Sequence, residues 1–147
     1  GKGKTWTDKV NDPTKEPIIK KLEKDFTDMP AGGKMLIATP KIIDDYVRHI
    51  PKGKSASLTL MRKDLAAGYG ADYTCPVTTG IFLRIVSEAA YEQLQKGASL
   101  NKVAPFWRVV EEKSSLNKKF SFGSDFVVQQ RKKEGLATEK AKKKTTR

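Results

Sequence analysis

The chain has 147 residues, enough for one domain with its own core and short of two. Its 29 Lys and Arg against 17 Asp and Glu leave a formal charge of +12, with only 37% hydrophobic residues; that excess favours a polyanionic partner, most simply nucleic acid. A single cysteine excludes an internal disulfide framework and a multi-cysteine metal site, and no apolar run reaches the length of a membrane span.

Residues 1–17 are polar and basic, broken by Asn11-Asp12-Pro13, and read as a flexible arm in which Trp6 alone is expected to pack back onto the domain. Ile18, Ile19, Leu22 and Phe26 fall at helical spacing and predict a short amphipathic helix; Met35 to Ala38 reads as a strand or an extended entry segment. Thr39-Pro40 is a helix start, with the threonine as cap and the proline in the first turn. Ile42, Ile43, Tyr46, Val47 and Ile50 form its apolar stripe, and Pro51 ends it. His49, at the end of that helix, reads as a capping or surface residue. Thr59 is expected to cap the next helix, carrying Leu60, Met61 and Leu65 to Gly68.

The longest helix is predicted from Pro76 to about Lys96, with Val77, Ile81, Phe82, Ile85, Val86, Ala89 and Leu94 as its buried stripe. Val103 to Glu111 reads as a strand and Ser114 to Lys119 as a wing turn. Ser124 and Asp125 open a last helix with Phe126, Val127 and Gln130 facing inward. Residues 137–147 lack large apolar side chains and are expected to be disordered. Two short helices, a turn and a strand–wing–helix describe a mostly helical α+β domain of winged helix-turn-helix type. The expected division is a basic arm with a short helix over 1–38, the domain over 39–136, and a basic tail over 137–147.

Pro105-Phe106-Trp107-Arg108-Val109-Val110 resembles the active-site segment of the alkylguanine-DNA alkyltransferases (methylated-DNA–cysteine methyltransferases), which reads Pro-Cys-His-Arg-Val-Val. Other features resemble that family in the same order. They are the Ile50-Pro51-Lys52-Gly53 turn, a small strand at Ser55-Ala56-Ser57-Leu58, a recognition helix opening at Cys75-Pro76, Phe120-Ser121-Phe122-Gly123 for Tyr-Ser-Gly-Gly, and a closing Glu134-Gly135. The departures are equally specific. Phe106 stands for the nucleophilic cysteine and Trp107 for its histidine, and a benzyl group cannot act as a nucleophile. Gly80 stands for the arginine that fills the stack behind a flipped base, and Leu58 for a tyrosine that crowds the target phosphate. The stretch before Pro105, through Gln93 to Gly97, is longer than the family's.

The resemblance implies a non-catalytic, alkyltransferase-like protein that binds double-stranded DNA through the minor groove. On that reading Thr78, Thr79, Gly80 and Arg84 face the DNA, against an ordinary helix start as the alternative, and Lys52, Lys54, Lys113, Lys118 and Lys119 reach phosphates. Phe106 and Trp107 either line an aromatic pocket for an extruded base or plug it as core, the plug being favoured; Arg108 orders the structure behind them, and Phe120 and Ser121 share the pocket's fate. Recognition of alkylated or flipped bases for other repair proteins is the leading function. A damage-independent architectural DNA binder is the alternative, and alkyl transfer by Cys75 a distant third. The expected protein is a monomer with no cofactor, no metal and no membrane partner, cytoplasmic and associated with the nucleoid.

Overall fold

The computed structural model describes residues 3–136 and is an α+β fold dominated by helices. The predicted tail lies outside the described residues. Five helices, α1 (Trp6–Val10), α2 (Pro40–Arg48), α3 (Leu58–Gly68), α4 (Pro76–Gln95) and α5 (Asp125–Lys133), accompany three short strands, β1 (Ile18–Lys21), β2 (Lys34–Ile37) and β3 (Tyr73–Thr74). The sheet runs β1-β2-β3, with β1 antiparallel to β2 and β3 parallel to it.

The helix signals around Thr39 hold. Thr39 Oγ1 accepts the Ile42 N–H at 3.1 Å, Pro40 occupies the first turn, and His49 closes the helix. Its inner face carries Ile43 and Val47, both fully buried. The cap of α3 is Ser57, whose hydroxyl accepts the Leu60 N–H at 3.0 Å, so Thr59 falls inside the first turn. Helix α4 has 20 residues, roughly 30 Å at 1.5 Å per residue, and packs against α1 and α2. Its inward residues include Leu83, Val86, Ala89 and Ala90, which join Ile43, Val47, Met61, Phe106, Trp107 and Val127 in the main core.

Several expectations are corrected. Ile18 and Ile19 belong to a strand, not a helix: Ile18 pairs with Ile37 and Lys21 with Lys34. The hairpin closes where the Gly32 N–H donates to Leu22 O and the Leu22 N–H to Gly33 O. The turn needs its glycines, since Gly32 has φ +93° and a Cβ on Gly33 would lie 2.6 Å from Tyr73 Cε2. The arm over residues 1–17 is likewise not all loose. Helix α1 carries a capping box, Thr5 with Asp8, and is tied to α4 because the Thr7 N–H and hydroxyl donate to Glu92 at 3.0 and 2.6 Å. Burial alone would raise the Glu92 carboxyl; the Thr7 hydrogen bonds and the Lys96 charge outweigh it and hold the group below its ordinary range.

No strand forms at Val103–Glu111 or Ser55–Leu58. A 3-10 turn covers Phe106–Arg108, and Asn117–Lys119 forms another where a wing turn was expected. The valines that suggested a strand are buried, but no neighbouring strand offers them a ladder. Side chains and single amides satisfy the backbone instead: Ala56 N donates to Arg108 O at 2.9 Å, and the buried Arg131 guanidinium donates to Trp107 O at 2.7 Å. Buried Asn117 holds the next loop, its amide donating to Glu112 O and Ser124 O. Among the described residues, no helix is long and apolar enough to cross a membrane.

Candidate nucleic-acid interface

The N-terminal half of α4 is solvent-facing on one side. Val77 is 55% exposed and Ile81 53%, so neither belongs to the buried stripe predicted for them. Helices α1 and α2 pack against α4 but leave the Val77–Ile81 edge uncovered. Together with Leu58, Val77 and Ile81 line a groove of about 620 Å³, whose other walls include Pro76, Ile85 and Leu116. Its cations are Lys9, Arg84 and Lys119, and none of the described residues that line it is acidic. Gly80 opens into the groove, and a Cβ there would meet nothing within 4 Å. The fold does not require a glycine at this point of the helix.

Other predicted contacts are placed differently. Thr79 is fully buried and its hydroxyl donates to Cys75 O at 2.6 Å, inside its own helix. The Thr78 hydroxyl is also buried. Neither hydroxyl is presented to a phosphate as expected: Thr79 is an interior residue, and Thr78 is half-buried with its hydroxyl shielded from solvent. Lys52 lies at a second cavity of about 460 Å³ with Arg48, Trp107, Arg108 and Glu134. Lys54 is exposed on a loop and Lys118 on the 3-10 turn Asn117–Lys119. Of the residues expected at one DNA-facing surface, the fold brings Gly80, Arg84 and Lys119 to one groove, while Lys52 lines a different cavity.

The segment that carried the resemblance is held by one carboxylate. Glu134 Oε2 accepts from Trp107 Nε1 and Arg108 Nη2, each at 2.8 Å; its Oε1 accepts from Arg108 Nε at 2.9 Å and from the Gly53 N–H at 3.1 Å. Arg108 also donates to Ile50 O at 2.8 Å. Burial alone would raise the Glu134 carboxyl, but the hydrogen bonds from Arg108, Trp107 and Gly53 outweigh it and keep the group below its ordinary range. Three stretches far apart in sequence, Ile50–Gly53, Trp107-Arg108 and Glu134, thus meet at a single ion pair.

In front of that pair the rings close ranks. Phe106 and Trp107 are 0% and 1% exposed, and Phe106 sits 5.5 to 5.9 Å from the rings of Trp107, Phe120, Phe122 and Phe126. Phe106, Trp107 and Phe120 are core side chains, and Trp107 also borders the cavity it shares with Arg48 and Lys52. Ser121 is spoken for as well, its N–H and hydroxyl donating to the buried Glu88, which Arg84 approaches at 3.4 Å. Trp6 packs against the main core as its sequence setting suggests, whereas Glu88 and the Thr7–Glu92 bonds are not foreseen; the Arg84–Glu88 spacing and the Thr5-x-x-Asp8 signature are the available signals. Cys75 is buried in a second small cluster with Leu22, Met29 and Met35.

No family model matches the chain, and neither the curated proteins nor the solved structures contain a significant match.

Proposed function

We propose that this protein is a non-catalytic, alkyltransferase-like DNA-binding protein in which α3 and α4 act as the helix pair of a helix-turn-helix unit. The exposed face of α4 lies against double-stranded DNA, on the minor-groove side. The observation that carries this reading is the acid-free groove along Val77, Gly80, Ile81 and Arg84, rimmed by cations in a chain of net charge +12. The meeting of Ile50–Gly53, Trp107-Arg108 and Glu134 supports the family resemblance, since these are the segments that carried it in the sequence.

Within that reading, binding blind to damage is favoured over recognition of alkylated or flipped bases. A base held where the family holds it would need the space occupied by Phe106, which is 0% exposed and packed among four rings. Gly80 also offers no side chain to fill a gap in the stack. Alkyl transfer by Cys75 is disfavoured by its burial among Leu22, Met29 and Met35. The test is fluorescence anisotropy at fixed salt with one duplex sequence, undamaged and carrying a single O6-alkylguanine. Equal affinities support the damage-independent binder. Tighter binding to the damaged duplex restores the lesion-marking role, with other repair proteins as partners, and binding to neither defeats the proposal.

A further inference from the structure

The groove is not made by the domain over residues 39–136 alone. Trp6 and Lys9 of α1 form part of its wall, and the indole collects cations from two elements. Lys9 Nζ lies 4.6 Å and Arg84 Cζ 5.7 Å from the Trp6 ring centroid. Contacts of this kind bias a long side chain toward one place. A ring holds a cation without cancelling its charge, as a carboxylate would. Asp8 accepts from the Thr5 N–H, Asp12 from Lys4 and Thr14, and Glu92 from Thr7, whereas Glu88 accepts from Ser121 and pairs with Arg84 at 3.4 Å. Of the two cations at the ring, Arg84 therefore shares its charge with a carboxylate and, among the described residues, Lys9 does not. Helix α1 is itself fixed, through its capping box and the Thr7–Glu92 bonds.

We infer that α1 is part of the DNA-contacting surface, with Lys9, Arg84 and Lys119 gripping the phosphates of one strand while its deoxyriboses rest on Val77 and Ile81. The inference rests on the DNA-binding reading and assigns a role to the N-terminal segment that the resemblance does not cover. Charge complementarity picks the occupant: a strand edge presents phosphates at regular intervals beside apolar sugar faces, and the groove presents cations beside apolar side chains with no acid between them. Trp6 acts as a positioning residue, setting Lys9 and Arg84 side by side.

The experiment is a salt-dependent titration of an undamaged duplex with the full chain and three variants, Lys9→Ala, Trp6→Ala and Trp6→Phe, beside Lys20→Ala on exposed β1 as the control. Lys9→Ala is expected to weaken binding about three- to tenfold at moderate salt and to reduce the log–log salt slope by about 0.9, the share of one phosphate contact. Lys20→Ala is expected to leave both unchanged. Trp6→Ala removes no charge yet is expected to weaken binding, with Trp6→Phe recovering most of the loss. DNA is also expected to change the tryptophan emission of the wild type but not of Trp6→Phe, whose remaining indole, Trp107, is buried. If the wild type binds and Lys9→Ala keeps its affinity and slope, the assignment of α1 fails while the DNA-binding reading stands. If the wild type binds no duplex, both fail.

Discussion

Replacing Glu134 by glutamine changes one acceptor oxygen into a donor at a point where every neighbour is already a donor. Trp107 Nε1, two Arg108 nitrogens and the Gly53 N–H all aim at this carboxylate, between 2.8 and 3.1 Å for the closest contact of each. The pair is shielded, with the Arg108 and Glu134 side chains 14% and 6% exposed. Breaking one partner of a buried pair costs about 3–5 kcal/mol, because the other charge stays behind without compensation. The partial solvent access of Arg108 places Glu134→Gln near the lower end, at about 3 kcal/mol. Urea unfolding followed by tryptophan emission should show the midpoint falling by roughly 1–3 M, for a slope typical of small domains. Adding Arg108→Met should recover at least about 1 kcal/mol, since no buried charge is then left alone.

The pH dependence has a definite sign. The folded-state pKa of Glu134 lies below its ordinary value of 4.5. The ionised form is therefore favoured by folding, and its contribution is complete above that value and lost as pH falls through the folded pKa. The stability gap between wild type and Glu134→Gln should accordingly be widest at neutral pH and narrow on acidification below about 4.5. A variant within about 0.5 kcal/mol of wild type at pH 7, or a gap that widens in acid, would refute the reasoning.

Two further substitutions separate fold from interface. Gly80→Ala should raise helix stability by about 0.5–1 kcal/mol, a few degrees in a thermal melt, because the added Cβ meets nothing in the protein. The same change should weaken duplex binding in a titration, because the methyl group intrudes where a strand approaches; unchanged affinity would move the strand away from Gly80. Phe106→Ala should cost about 3–5 kcal/mol in denaturant unfolding, as expected for a ring removed from a packed core. It should leave duplex affinity unaltered under conditions where the variant stays folded, and a selective loss of DNA binding would mean that the ring faces the ligand.

What could be read from the sequence divides along local and non-local lines. Thr39-Pro40, the stop at Pro51 and the long helix from Pro76 are local signals, and each is found where the sequence places it. The Ile50–Gly53 turn, Trp107-Arg108 and Glu134-Gly135 were legible as motifs, while the carboxylate joining them is a tertiary fact. Ile18, Ile19, Leu22 and Phe26 satisfy helical spacing, but the strand that claims Ile18 and Ile19 lies beyond a turn at Lys34–Ile37. Val103, Val109 and Val110 have strand-forming side chains and are buried, yet a strand needs a partner and none adjoins them. The apolar stripe assigned to α4 was too broad, because periodicity does not reveal which flank the rest of the fold leaves uncovered. The proposed interface consists largely of that uncovered flank, where Val77 and Ile81 match the spacing of core positions yet stay exposed.

The most direct test of the groove on α4 is the salt dependence of duplex affinity in the wild type and in an Arg84→Ala, Lys119→Ala double variant. If the basic tail over 137–147 and the lysines around 113–119 displace about six counterions, the wild-type log–log slope is about −5, and removing two of the groove's cations should make it shallower by about 2. A wild type that takes up no duplex in dilute buffer, or a double variant with the wild-type slope, would contradict the account.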